Sequence, residues 1–201
     1  SDFELYDYMI WEFFICATAV LLHYERFAEL RQLLVHPYFL RTDYFNSNIE
    51  PQTFDIFRKY TRTIEEVCKP KSENSRLFTL AGEILVNREK KPILTKQSIA
   101  NADIVLYQLN DIFDTSENER WSMWFPTTYI YHQGQQVLWK KLISKSYCKK
   151  IFPLFSVNTV DELKEKVQGS IGNRDIRYNG SWHNAPGILS SIKLDEIGTL
   201  E

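Results

Sequence analysis

Glycine and proline are both scarce in this sequence. Its 201 residues include 7 glycines and 7 prolines, which is below the usual frequencies of about 7% and 5%. Because these two residue types form most tight turns, a shortage of both favours helices over many short strands. The composition therefore excludes a small all-β sandwich and predicts a mainly helical chain.

Motifs for metal, phosphate or nucleophile chemistry are also lacking. The histidines occur singly, at His23, His36, His132 and His183. The cysteines form no CxxC pair, so no common metal-binding spacing is present. Gly82 and Gly134 lie in no glycine-rich phosphate loop, and no G-x-S-x-G motif marks a nucleophile. We therefore predict neither a metal nor a cofactor, and a role other than catalysis is favoured.

The three cysteines, Cys16, Cys68 and Cys148, are odd in number and far apart. This pattern predicts reduced thiols rather than a disulfide framework. The first four residues contain two acids and no base, whereas a secretory signal begins with basic residues. Both observations predict a cytoplasmic protein. Because the sequence begins with Ser1 rather than Met, we expect one domain of a longer protein.

The longest apolar stretch runs from Leu5 to Leu22 and is interrupted by Asp7, Glu12 and Thr18. A membrane span needs about 20 apolar residues, and a carboxylate at the bilayer centre costs about 2.5–3.5 kcal/mol. We therefore predict no membrane contact. The stretch is expected to begin one long helix, Leu5 to Val35, that starts in the protein centre and emerges at the surface in its second half.

Helical periodicity predicts a helical body over residues 1–115. Pro51 is suited to the first turn of a second helix. The apolar residues of that helix repeat every three or four positions, at Phe54, Phe57, Tyr60, Ile64 and Val67. Two further helices are predicted over residues 77–88 and 96–113, and Thr95 is expected to cap the second of them.

Residues 116–201 have a more mixed pattern. The β-branched and aromatic residues of Thr127–Tyr131 predict a short strand. Ile151–Val157 is apolar but contains a proline, which allows at best an edge strand. Asn179 and Gly180 lie between two short polar-aromatic segments and predict a tight hairpin.

Helices are also predicted in this second part, over residues 135–150 and from Thr159 to Gln168. The latter begins with a capping box, in which Thr159 is followed three residues later by Glu162. The expected fold class is therefore α+β, predominantly helical. It combines a helical body, residues 1–115, with a mixed part, residues 116–201, packed on it.

Two segments of opposite charge underlie the net charge of −2. Residues 103–119 carry five acids and no base, and residues 140–150 carry five lysines and no acid. In one helix, Lys141, Lys145 and Lys149 would form a stripe. Such a stripe can follow a phosphate backbone, or it can form ion pairs with the acidic segment within the fold. The isoelectric point of about 6.1 does not favour a nucleic-acid partner, because such domains are usually strongly basic.

The aromatic segment after residue 120 is the candidate recognition site. Large side chains are enriched at protein interfaces, and this segment contains Trp121, Trp124, Tyr129 and Tyr131. By elimination, we predict a non-catalytic interaction or regulatory domain of a larger cytoplasmic protein. It would bind other domains of its parent, or a protein partner, through these aromatic residues and the lysine stripe.

An alternative function rests on Arg177 and His183. Their spacing resembles the R-x4-6-H motif of the HEPN ribonucleases, and this resemblance implies a phosphodiester- or nucleotide-acting enzyme in which the two residues cleave RNA. The sequence departs from that family at Asn179 and Gly180, which interrupt a helix, and at Tyr178, where a polar residue is usual. A third hypothesis is a small-molecule sensor with an aromatic pocket inside the bundle of the first helix.

Overall fold

The computed structural model describes residues 4–39, 51–58, 61–67, 79–90, 92–113, 124–133, 136–169 and 185–201. Within these ranges the chain is helical and contains no β-strand. Extended residues pair only in isolated bridges, Tyr38 with Gln52, Lys90 with Leu94 and Ser144 with Leu200. The predicted α+β class is therefore wrong for the described residues, which form a helical fold.

The described fold consists mainly of α-helices. They are α1 (Glu4–His23), α2 (Phe27–Val35), α3 (Leu80–Asn87), α4 (Lys96–Phe113), α5 (Val137–Lys140), α6 (Lys145–Phe155) and α7 (Val160–Gln168). Shorter 3₁₀ turns lie at Phe54–Phe57, Lys141–Ile143, Ile188–Ser190 and Leu194–Glu196, and a π-helical turn lies at Thr63–Val67. Helix α1 packs mainly on α4 and also on α2, while α2 packs on α6.

The single helix predicted over Leu5–Val35 is wrong, because the chain breaks between α1 and α2. Glu25 adopts the left-handed conformation, with φ 51°. Its backbone N–H donates to the Leu22 carbonyl, and the Arg26 N–H donates to the Leu21 carbonyl. These two bonds form a Schellman motif, a helix end that usually requires glycine. A non-glycine residue in this conformation costs about 1–2 kcal/mol, so tertiary contacts must compensate.

The edge strand predicted at Ile151–Val157 is also wrong, because most of this segment belongs to α6. Pro153 lies near the end of α6 and is exposed, so water can bond the carbonyl that its missing N–H leaves free. Ile151, Leu154 and Phe155 are buried on the other side of the helix. This burial outweighs the local cost of the proline.

The strand predicted at Thr127–Tyr131 is a series of turns instead. Its backbone bonds are local, from the Thr127 N–H to the Phe125 carbonyl and from the Tyr131 N–H to the Thr128 carbonyl. The Thr128 N–H donates to the carboxylate of Asp103 at 2.7 Å. A side chain of α4 therefore satisfies a donor that would otherwise need a neighbouring strand.

The second helix predicted from Pro51 is not continuous. The described residues form only a 3₁₀ turn at Phe54–Phe57 and a π-helical turn at Thr63–Val67. The helix predicted over 135–150 is interrupted at Ser144, whose hydroxyl instead accepts from the Tyr147 N–H and caps α6. The predicted hairpin and the domain boundary near residue 115 lie outside the described residues, so the division into two parts stays a prediction.

Helices with strong local signals are confirmed. Helix α4 has the predicted bounds, and the Thr95 hydroxyl accepts from the Ser98 N–H at 3.1 Å. The predicted cap of α7 at Thr159 is also present, although the reciprocal bond of a capping box goes to the residue before the cap. The Thr159 hydroxyl accepts from the Glu162 N–H at 3.2 Å, and the Glu162 carboxylate accepts from the Asn158 N–H at 2.7 Å.

Candidate interaction surface

The predicted aromatic site faces the protein interior where it is described. The Trp124 side chain is completely buried, and its ring lies 5.8 Å from Phe14 and 5.7 Å from Phe54 between centroids. Tyr129 is buried. Tyr131 is half-buried, and its hydroxyl accepts from the Thr79 N–H at 2.8 Å. Trp121 lies outside the described residues. These three described aromatic side chains therefore stabilise the core rather than present a surface.

Asp103 of α4 holds this aromatic segment in place. Its buried carboxylate accepts hydrogen bonds from the Trp124 indole N–H, the Thr128 N–H and the Thr128 hydroxyl, each at 2.7 Å. Burial raises the pKa of Asp103, while these hydrogen bonds and the charge of Arg58 favour the ionised form. Burial likewise lowers the pKa of Arg58. The carboxylate oxygens are thus used in a structural network.

The predicted lysine stripe does not lie on one helix. Lys141 belongs to a 3₁₀ turn, while Lys145 and Lys149 belong to α6. Lys141 bonds the Glu25 carboxylate at 3.1 Å, and its Nζ lies 5.0 Å from the centre of the Tyr147 ring. Lys145 bonds Glu201. Lys141 and Lys145 therefore pair with carboxylates from other parts of the described chain.

Glu25 is the centre of the larger of these two charge clusters. Lys150 bonds its second carboxylate oxygen at 3.1 Å. Partial burial raises the pKa of Glu25, but the hydrogen bonds and charges of Lys141 and Lys150 outweigh this effect and lower the pKa overall. These bonds also hold the side chain of the left-handed residue between α1 and α2, and they offset part of its backbone cost.

The residues of the alternative enzyme hypothesis, Arg177 and His183, lie outside the described residues, so that hypothesis stays a prediction. Among the residues whose placement is described, no three His, Cys, Asp or Glu side chains come together as a metal site would require. A cavity of about 200 Å³ lies beside the C-terminal end of α1, and Leu22, Asn101 and Gln136 are among its lining residues. Under the sensor hypothesis a small molecule would bind in this cavity, and that hypothesis also stays a prediction.

Helix α1 carries a surface that the sequence prediction missed. One side of α1 is buried, through Tyr8, Trp11, Phe14, Ile15, Thr18 and Ala19. On the opposite side, five large apolar or aromatic side chains are between 41% and 72% exposed, namely Leu5, Tyr6, Met9, Ile10 and Phe13. Half-buried Cys16, Ala17 and Val20 continue the same side at helical spacing. We call these eight residues the outer face of α1.

The outer face contains no charged residue. Asp7 and Glu12 point to its two flanks, because successive residues turn by about 100° around a helix axis, and Glu12 pairs with Arg88 at 3.3 Å. If each large side chain exposes on the order of 100 Å², the face presents about 500 Å² of apolar surface, near the upper end for a monomer. The largest apolar patch of a monomer is often functional, so this face is the candidate interaction surface.

The sequence contained one signal for this surface, the apolar character of the first helix on all sides. A helix of that kind is usually buried all round, whereas α1 is covered on one side only. Within the described ranges, α1 is also the one helix long and apolar enough to cross a membrane, a criterion that core helices of other proteins meet as well.

No protein-family model, no curated protein and no solved structure matches this chain. The described residues form a mainly helical fold in which one apolar face of α1 is exposed.

Proposed function

We propose that this chain is a non-catalytic interaction module of a larger cytoplasmic protein, and that it binds a protein partner through the outer face of α1. The observation that carries the proposal is a surface helix whose outward positions from Leu5 to Val20 are all apolar or aromatic. Holding Phe13 72% exposed in water is unfavourable unless a partner covers it, because burying such a side chain contributes about 1.5–3 kcal/mol.

The inner side of α1 supports this role because it fixes the helix on the core. The Phe14 ring stacks on Phe54 with centroids 5.7 Å apart, and it also contacts Phe57 and Trp124. A face held on packed aromatic rings loses little conformational freedom when a partner binds. The outer face is therefore preorganised for docking.

The charges around α1 favour a protein partner over a nucleic acid or an anionic membrane. The 20 residues of α1 include Glu4, Asp7 and Glu12 but no lysine or arginine. Nucleic acids are bound through lysine and arginine contacts with phosphates, and interfacial membrane helices carry the same residues on their polar side. An apolar face without them fits the apolar side of another helix.

A photo-crosslinking amino acid at position 13 tests the proposal. We expect the full-length protein in its own cells to form one discrete protein adduct when a benzophenone side chain replaces Phe13. The same group at Val137, which is also exposed but lies on α5, should give none. Adducts of equal yield at both positions, or adducts with lipid alone at position 13, would contradict the proposal.

A further inference from the structure

We infer that the partner of the outer face is a second copy of this chain, with the two α1 helices packed antiparallel and centred on Phe13. This inference rests on the proposed function and identifies its partner. Three properties of the outer face support it, namely the order of its side-chain sizes, the charges at its two ends and its area.

Side-chain size changes along the outer face. The N-terminal half has the large residues Tyr6, Met9, Ile10 and Phe13, and the C-terminal half has the smaller Cys16, Ala17 and Val20. In an antiparallel pair centred on Phe13, Tyr6 lies at the level of Val20, Met9 at the level of Ala17, and Ile10 at the level of Cys16. Away from the central pair of Phe13 rings, each large residue is then accompanied by a smaller one, which allows closer helix packing. A parallel pair would place large against large and small against small.

The two ends of α1 differ in charge. The N-terminal end carries Glu4 and Asp7. At the C-terminal end, Lys141 and Lys150 both bond Glu25, so this cluster of two positive charges and one negative charge has a net charge of +1. An antiparallel pair brings unlike ends together and opposes the two helix dipoles favourably. A parallel pair would bring the carboxylates of both copies together.

The area of the outer face predicts a weak pair. About 500 Å² from each copy gives about 1,000 Å² in total, which is the lower limit for a specific interface. The 20 residues of α1 span about 30 Å, so the whole face is long enough to contribute. We therefore expect a reversible dimer that forms with increasing protein concentration.

Sedimentation equilibrium over a wide concentration range tests the inference. We expect the average mass of the chain to rise from 23.8 kDa towards twice that value. Phe13→Asp should raise the dissociation constant at least about tenfold, because it puts a charge at the centre of the interface. Val137→Asp is the matched control and should leave the mass curve unchanged. Circular dichroism should show that both variants keep the fold, since both side chains are exposed.

A disulfide tests the orientation of the pair. In Tyr6→Cys with Val20→Cys, made with Cys68→Ser, mild oxidation should join position 6 of one copy to position 20 of the other. The two positions on one helix are about 21 Å apart along its axis, beyond the roughly 4.4–6.8 Å between α-carbons that a disulfide allows. Tyr6→Cys in the same background is the control and should not link to Cys16, because it faces Val20.

The possible results separate the two proposals. A dimer linked between positions 6 and 20 supports antiparallel pairing, whereas links between identical positions overturn it. A chain that stays monomeric up to about millimolar concentration, far above the usual affinities of specific complexes, overturns self-pairing. In that case a different protein captured at position 13 would still support the interaction module. Monomeric binding to phosphatidylcholine vesicles that Phe13→Asp abolishes would overturn both proposals.

Discussion

Replacing Asp103 with alanine removes the acceptor of three hydrogen bonds inside the protein. The donors are the Trp124 indole N–H and the N–H and hydroxyl of Thr128, all at 2.7 Å. Each unpaired buried donor costs about 1–3 kcal/mol, and Arg58 would lose one of the two carboxylates that stabilise its charge, the other being Glu65. Because such losses are not additive, we expect Asp103→Ala to lower the free energy of unfolding by about 3–5 kcal/mol.

Asp103→Asn provides a graded comparison. It keeps the side-chain shape and one acceptor, but its amide nitrogen would face a donor. We therefore expect a smaller loss, about 1–3 kcal/mol. Combining Asp103→Asn with Arg58→Met should cost less than the two single changes together, because the double variant removes both members of this charge pair.

Urea unfolding followed by circular dichroism measures these losses. Asp195→Ala is a suitable control, because this exposed carboxylate should change the free energy of unfolding by less than about 0.5 kcal/mol. If Asp103→Ala cost no more than the control, the network around Asp103 would not hold the segment from Trp124 to Tyr131 against α4.

Three further predictions concern local geometry and charge. Gly198→Ala should lower the free energy of unfolding by about 1–3 kcal/mol, because φ is +70° and the added Cβ would lie 2.8 Å from Val160. In the same thermal-unfolding assay Gly169→Ala should be nearly neutral, because its added Cβ would lie 3.4 Å from the nearest atom. Equal losses in the two variants would contradict this prediction. Glu25→Gln should cost up to about 1 kcal/mol at neutral pH. Since the pKa of Glu25 in the folded protein is lowered from 4.5, its contribution to the free energy of unfolding is present above that value and is lost as the pH falls below it. Urea unfolding should therefore show the stabilities of wild type and variant converging in acid. A constant difference would refute the ion-pair explanation. Thr159→Ala should cost about 1 kcal/mol and Thr159→Ser much less, as measured by urea unfolding; similar losses would exclude the capping hydroxyl as the cause.

Sequence patterns predicted the helices whose determinants are local. Helix α4 combines an amphipathic stripe with a cap at Thr95, and α7 begins at the cap formed by Thr159, whose hydroxyl accepts from the Glu162 N–H. In both cases the residues that fix the helix start lie within a few positions of it. Neighbouring residues alone therefore determined these elements.

The incorrect predictions involve partners that are distant in sequence. The break between α1 and α2 depends on Glu25, which is bonded by lysines 116 and 125 residues further along the chain. The turns at Thr127–Tyr131 depend on Asp103, 25 residues before Thr128. Local propensity favoured a helix in the first case and a strand in the second. A single sequence does not show that these partners meet.

The exposure of the outer face of α1 follows from how α4 binds the second half of the chain. The Trp124 indole donates to Asp103 and the Trp139 indole donates to Gln108, at 2.7 and 2.6 Å. Both tryptophans are therefore fixed in the core beside α4, and Phe14 on the inner side of α1 packs against the first of them. These large aromatic side chains therefore pack in the core and do not cover the outer face of α1. Within the described ranges, Phe13 is left 72% exposed, so the same contacts that stabilise the core also leave α1 available to a partner.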